Sequence, residues 1–145
     1  MQQGFHFQIT EGPHTFLLAG DDVISLHSRD QMQVDSRPRG TVTAWIDKKD
    51  IRWSAVRLGQ VLGFEAGEWG QAVFMEATDP VVGIMAERVS VIENHRVGII
   101  KPFTVVGSLA GDSSVYRGVR IGAGDPELVL DKGGLAELVE KVLLK

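Results

Sequence analysis

The sequence predicts a mainly β protein, and three observations carry that expectation. Most of the 145 residues fall into short apolar or alternating runs. Gly, Asp, Asn and Pro break these runs at turn-like intervals, the pattern of many short antiparallel strands. Helical spacing is confined to residues 55–62 and 135–143.

Taken in order, Phe5, Phe7 and Ile9 alternate as in a strand, although residues 1–13 read equally as a loose N-terminal arm. Residues 15–19 and 23–26 flank Gly20, Asp21 and Asp22, a turn-forming triplet expected to close a hairpin. Residues 31–35 alternate and stop at Pro38 and Gly40. Residues 41–46 and 51–54 contain Trp45 and Trp53 and form two strands joined by a polar turn, Asp47 to Asp50. Apolar residues at 55, 58, 61 and 62 make one or two helical turns, which Gly63 terminates.

Residues 71–76 and 81–86 pair across a reversal at Asp79-Pro80, and a strand at 88–92 follows. Further strands are expected at 97–100, 103–106, 115–121 and 127–130. Leu135, Leu138, Val139, Val142 and Leu143 share one helical face, and Asp131 is placed to start that helix.

Composition narrows the function. A net charge of −4 with no block of Lys or Arg lacks the footprint of nucleic-acid binding. Lys48 and Lys49 lie between Asp47 and Asp50 and are neutralised locally, so they make no polybasic membrane anchor. The chain has no cysteine, which excludes disulfides, thiolate zinc sites and cysteine nucleophiles. Neither a signal-peptide pattern nor an apolar run of about 18 residues is present, so no membrane insertion and a cytoplasmic location are expected.

Catalytic patterns are missing as well. His6, His14, His27 and His95 are scattered, without metal-ligand spacing, and no G-x-S-x-G elbow presents a serine. Gly122 and Gly124 begin a dinucleotide fingerprint, but its third glycine position holds Glu127. The stretch from Gly107 to Ser114 lacks the lysine of a phosphate-binding loop. A non-enzymatic protein without cofactor or metal is the expectation. The three tryptophans are the conspicuous contact candidates: Trp45 and Trp53 as core or partner-facing side chains, and Trp69, outside any predicted strand, as an exposed anchor.

The order of segments resembles the CheW-like chemotaxis adaptor family from about His14 to Leu143. Phe16 to Asp22 is similar to that family's opening F-x-L-x-G hairpin, and Gly40-Thr41-Val42 to its Gly-started strand. Val56-Arg57-Leu58 through Leu62-Gly63 resembles its strand running into a short helix. The most specific match is Val82-Gly83-Ile84-Met85-Ala86-Glu87-Arg88-Val89 against V-G-L-x-V-D-x-V, with Ile100-Lys101-Pro102 at the expected distance. Leu128-Val129-Leu130-Asp131 before a leucine-rich helix resembles the family's ending.

The resemblance implies a single domain over 1–145, built as two intertwined five-stranded SH3-like barrels with a short central helix and a C-terminal helix. It implies an adaptor joining the regulatory domain of a CheA-type histidine kinase to chemoreceptor cytoplasmic tips. Residues Trp45, Lys48, Trp53, Arg57, Trp69, Glu87 and Arg88 are the expected partner contacts. The central hairpin departs from the family pattern: Lys48 stands loosely where a turn arginine is usual, and Arg57 replaces an aspartate. That departure raises an alternative, a divergent scaffold of a motility or polarity complex that does not bind the usual kinase. A small-molecule sensor is the third reading.

Overall fold

In the computed structural model, residues 4–36, 42–76, 80–103, 115–122 and 124–144 are described. Twelve strands and three helices are found among them. The first three strands are β1 (Phe5–Glu11), β2 (His14–Ala19) and β3 (Val23–Ser28). β4 (Gln33–Ser36), β5 (Val42–Lys48) and β6 (Ile51–Arg57) follow, and β6 runs directly into helix α1 (Leu58–Leu62). Next come β7 (Gln71–Met75), β8 (Val82–Ala86), β9 (Arg88–Glu93), a helical turn α2 (Asn94–Val97) and β10 (Ile100–Pro102). β11 (Tyr116–Arg120), β12 (Glu127–Leu130) and α3 (Lys132–Leu143) complete the chain.

The strands form two curled sheets, and each resembles an SH3-like barrel. Sheet A has the order β10-β11-β12-β2-β1-β9 and sheet B the order β3-β7-β8-β6-β5-β4. Each has six strands, one more than the five per barrel that the resemblance implies, because the short edge strands β10 and β4 also pair. Sheet B is contiguous in sequence, whereas sheet A takes two strands from before it and four from after it.

Alternation sets the layers. Val73, Met75, Val82, Ile84 and Ala86 leave sheet B on one face to meet Phe7, Ile9, Phe16 and Leu18 from sheet A in a shared core. Helix α3 closes that core with Leu135, Ala136 and Val139. The opposite face of sheet B carries Ala72, Phe74 and Met85 into the interior of its own barrel, with Met32, Ala44, Ala55 and Trp69. Leu17, Val97 and Val129 do the same for sheet A. Strands β7 and β8 are thus apolar on both faces.

The local stops follow the sequence. Gly63 ends α1 with a φ of +90°, and the Asp131 carboxylate caps α3 by accepting the Gly134 N–H at 3.0 Å. The β7–β8 pair is antiparallel, as the Asp-Pro reversal predicts.

Four expectations need correction. The segment 15–26 is not a hairpin: β2 pairs with β1 and β12, and β3 pairs with β7 in the other sheet. Gly20–Asp22 is a 3-10 turn that carries the chain between sheets instead of reversing it. The opening hairpin is β1–β2, turning at Gly12 and Pro13, so the segment left open between strand and arm is strand from Phe5 to Glu11. The strand expected at 97–100 is mostly the helical turn α2, which places Val97 against Leu17 and Val129, and pairing starts at Ile100. Finally, β2 with β12 and β6 with β8 are parallel pairs, formed where the chain crosses over rather than turning back. The strand expected at 103–106 lies outside the described residues beyond Phe103.

Candidate protein-docking surface

The hairpin β5–β6 is built by cross-strand pairing from Thr43 opposite Val56 to Lys48 opposite Ile51. Its two turn residues, Lys49 and Asp50, have φ of 50° and 67°, the left-handed pair that a tight two-residue hairpin turn demands. Register then sorts the side chains. Trp45 faces the same way as Thr43 and Val56, whereas Ile46, Trp53 and Ala55 face the barrel interior.

The two tryptophans therefore do different work. The Trp53 ring lies 5.8 Å from that of Phe74 and belongs to the interior of barrel B. Trp45 continues the core-facing side of β5 and β6 beyond the residues packed in the shared core and remains half-buried. The Arg52 guanidinium covers it at 4.4 Å from the ring centroid and also approaches Asp47 at 3.5 Å. Ile51 at the tip is exposed, as are Ile24 and Leu26 on edge strand β3 and Val34 on edge strand β4. A half-buried aromatic side chain under an exposed arginine has the composition of a protein-contact centre.

Lys48 stands at the other side of the hairpin tip. His27 on β3 packs its ring 5.7 Å from Phe74, and its Nε2 lies 3.1 Å from Ser25 Oγ. Burial holds the His27 pKa below its ordinary 6.5, the positive charge of Lys48 lowers it further, and a hydrogen bond with Gln31 opposes both.

The remaining expected contacts fall elsewhere. Trp69 is buried at 4% exposure, which corrects its reading as an exposed anchor. Arg29 covers its ring at 5.1 Å and donates to its carbonyl, while the adjacent Gly70 N–H bonds to Ala86 C=O at 2.9 Å; the segment is drawn into barrel B. Arg88 is exposed at the start of β9, opposite Thr10. Arg57 and Glu87 meet at a buried carboxylate that the sequence reading missed, Glu11, which has 0% exposure.

Four hydrogen bonds satisfy Glu11. Arg57 donates from Nη2 to Oε1 at 2.9 Å and from Nε to Oε2 at 3.2 Å. The backbone N–H groups of Gly59 and Glu87 donate at 2.9 and 3.1 Å. Arg57 Nη2 also donates to Gly67 C=O at 2.7 Å, and the Glu87 carboxylate accepts from Gly12 N–H. A signal for Glu11 exists in the sequence: it continues the 5, 7, 9 alternation, which puts a carboxylate on the face that buries Phe7 and Ile9.

Sheet A carries a polar cleft of about 480 Å³, lined by residues including Gln8, His14, Phe16, Arg120 and Glu127. Two of its charged side chains pair with each other: Glu127 accepts from Gln8 at 2.8 Å and from Arg120 at 2.7 Å, and Arg120 donates onward to Arg96 C=O. Among the described residues no cluster of His, Asp and Glu is arranged to hold a metal, and no helix is long and apolar enough to cross a membrane.

No protein-family model matches the sequence, and no curated protein does. Among solved structures, the crystal structure of the scaffolding protein TtCheW from Thermoanaerobacter tengcongensis is similar to this chain with a TM-score of 0.64. The match covers 90% of each chain at 12% identity. The fold is CheW-like. In that fold the two curled sheets correspond to paired SH3-like barrels, and the β5–β6 hairpin belongs to the barrel that is contiguous in sequence.

Proposed function

We propose that this chain is a non-enzymatic adaptor that couples the regulatory domain of a CheA-type histidine kinase to chemoreceptor cytoplasmic tips. The observation that carries the reading is the likeness to a scaffolding protein over 90% of both chains. The surface chemistry supports it. Trp45 under Arg52 supplies a contact centre on one face of the hairpin, and Asp47, Lys48 and Lys49 supply a mixed-charge rim that sets orientation. Lys48 would act at such contacts and Arg88 on a separate exposed part of sheet A, whereas Trp53, Arg57, Glu87 and Trp69 would support the fold from within.

The test is co-migration of the purified chain with a cognate kinase regulatory domain at micromolar concentrations. A stable complex is expected, and clean separation at tens of micromolar overturns the reading. One observation favours a second reading, a CheW-like scaffold serving another complex: the hairpin turn is Asp47-Lys48-Lys49-Asp50, not the arginine-bearing family turn. Replacing that turn with the family's and gaining kinase binding would support the second reading over the first.

A further inference from the structure

The groups around Glu11 come from three separate passages of the chain. Glu11 ends β1 in sheet A and Gly12 begins the turn after it, Arg57 and Gly59 mark the β6–α1 junction in sheet B, and Glu87 is the single residue joining β8 in sheet B to β9 in sheet A. The Glu11 carboxylate is bonded to the latter two passages at once, and the Glu87 carboxylate is bonded back to the β1–β2 turn through Gly12 N–H. The polar cluster therefore spans the place where the chain steps from one sheet to the other.

Glycine makes room for it. A Cβ on Gly59 would lie 3.3 Å from Glu11 Oε2 and 2.7 Å from Phe64 O, and one on Gly67 would lie 3.2 Å from Glu87 Oε2. Gly12 has a φ of +59°, and a Cβ there would lie 2.7 Å from Glu65 O. Three glycines thus border two carboxylates, each at a point where a side chain would crowd the cluster or the backbone of Phe64 and Glu65 beside it.

Apolar contact is non-directional: the shared core between the sheets resists separation but sets their mutual angle only through shape. A bidentate guanidinium–carboxylate pair with two additional backbone donors is directional at every bond. Buried ion pairs are best attested as devices that fix register, not as sources of net stability. We propose that Glu11, Arg57 and Glu87 form a positioning lock that fixes the angle between the two barrels, with Arg57 as its central member. The lock is independent of the partner that the hairpin binds.

The native chain has no cysteine, so spin labels can be placed at Ile51→Cys on sheet B and Val91→Cys on sheet A, both exposed. Pulsed electron spin resonance on the full chain then reads the distance between barrels. A single narrow distribution is expected for the labelled parent. Arg57→Lys keeps the charge but cannot bond in a planar fork to Glu11 while reaching Gly67, and Glu11→Gln loses the ionic character; both are expected to broaden the distribution or add a second population. A core truncation, Leu135→Ala, destabilises without touching the lock and is expected to leave the distribution narrow. Distributions for Arg57→Lys and Glu11→Gln that superimpose on the parent overturn the proposal, as does equal broadening by Leu135→Ala. Should Glu11→Gln fail to fold, Arg57→Lys alone decides.

Discussion

Arg52 and Arg57 lie five residues apart on strand β6, and each pairs with a carboxylate, yet they belong to different worlds. The Arg52 side chain is 57% exposed and shares its charge between Asp47 and the Trp45 ring. That of Arg57 is 16% exposed and faces a carboxylate with no solvent contact at all. The odd spacing sends them to opposite faces, and burial then decides what each ion pair is worth. An exposed pair competes with water and salt and contributes little to stability, while removing one member of a buried pair strands the other. The outer arginine is free to meet a partner; the inner one is committed to the fold.

The largest expected effect breaks the buried side of that contrast. Arg57→Leu leaves Glu11 without its counter-charge and should cost about 3–5 kcal/mol in urea unfolding. An intermediate case is Asp131, a half-buried carboxylate that accepts a single backbone N–H at the start of α3. Asp131→Ala should cost about 1 kcal/mol in the same measurement.

A smaller effect concerns His27, whose protonation the charge of Lys48 opposes. The folded-state pKa of His27 is depressed, so the unfolded chain binds this proton more readily. The contribution is fully present above the unfolded value near 6.5 and is lost as pH falls from there through the folded value. Urea midpoints of the parent should fall over that window, and those of His27→Gln should fall less. A parent no more acid-sensitive than the variant would show that burial and Lys48 do not govern this histidine.

The smallest stability effect belongs to the outer arginine. Arg52→Ala should change unfolding free energy by about 0.5 kcal/mol or less. On the proposed function, kinase-domain affinity tests the surface that the outer arginine covers: Trp45→Ala should weaken it by about tenfold or more, the size of a contact-centre truncation. An unchanged affinity would move the docking surface away from the hairpin.

Much of this architecture was legible in the sequence. Short β-branched, aromatic and apolar runs between turn signals placed β5, β6, β7 and β8, Gly63 marked the end of α1, and the spacing of Leu135, Leu138 and Val139 defined α3. The connection at Gly20–Asp22 was misread because turn residues announce that a strand stops, not which sheet the chain enters next. Trp69 was misread because no local pattern reveals that Arg29, forty residues earlier in sequence, covers it. Arg57 was noticed as a charge reversal relative to the family pattern, but its partner lies 46 residues away, on a strand that had been left open. Registry between distant strands is a tertiary fact, and the buried ion pair is made entirely of it.

The interleaved strand order has a kinetic side. Every strand of sheet B lies between residues 23 and 86, whereas β2 waits for β12, with Phe16 opposite Leu128. As the chain is synthesised, the first hairpin must stay unpaired on that edge until nearly all of its successors have emerged. Contacts of such long sequence separation slow folding, so the late-closing sheet is where a nascent chain would be captured by a chaperone or by the edge of a neighbouring copy.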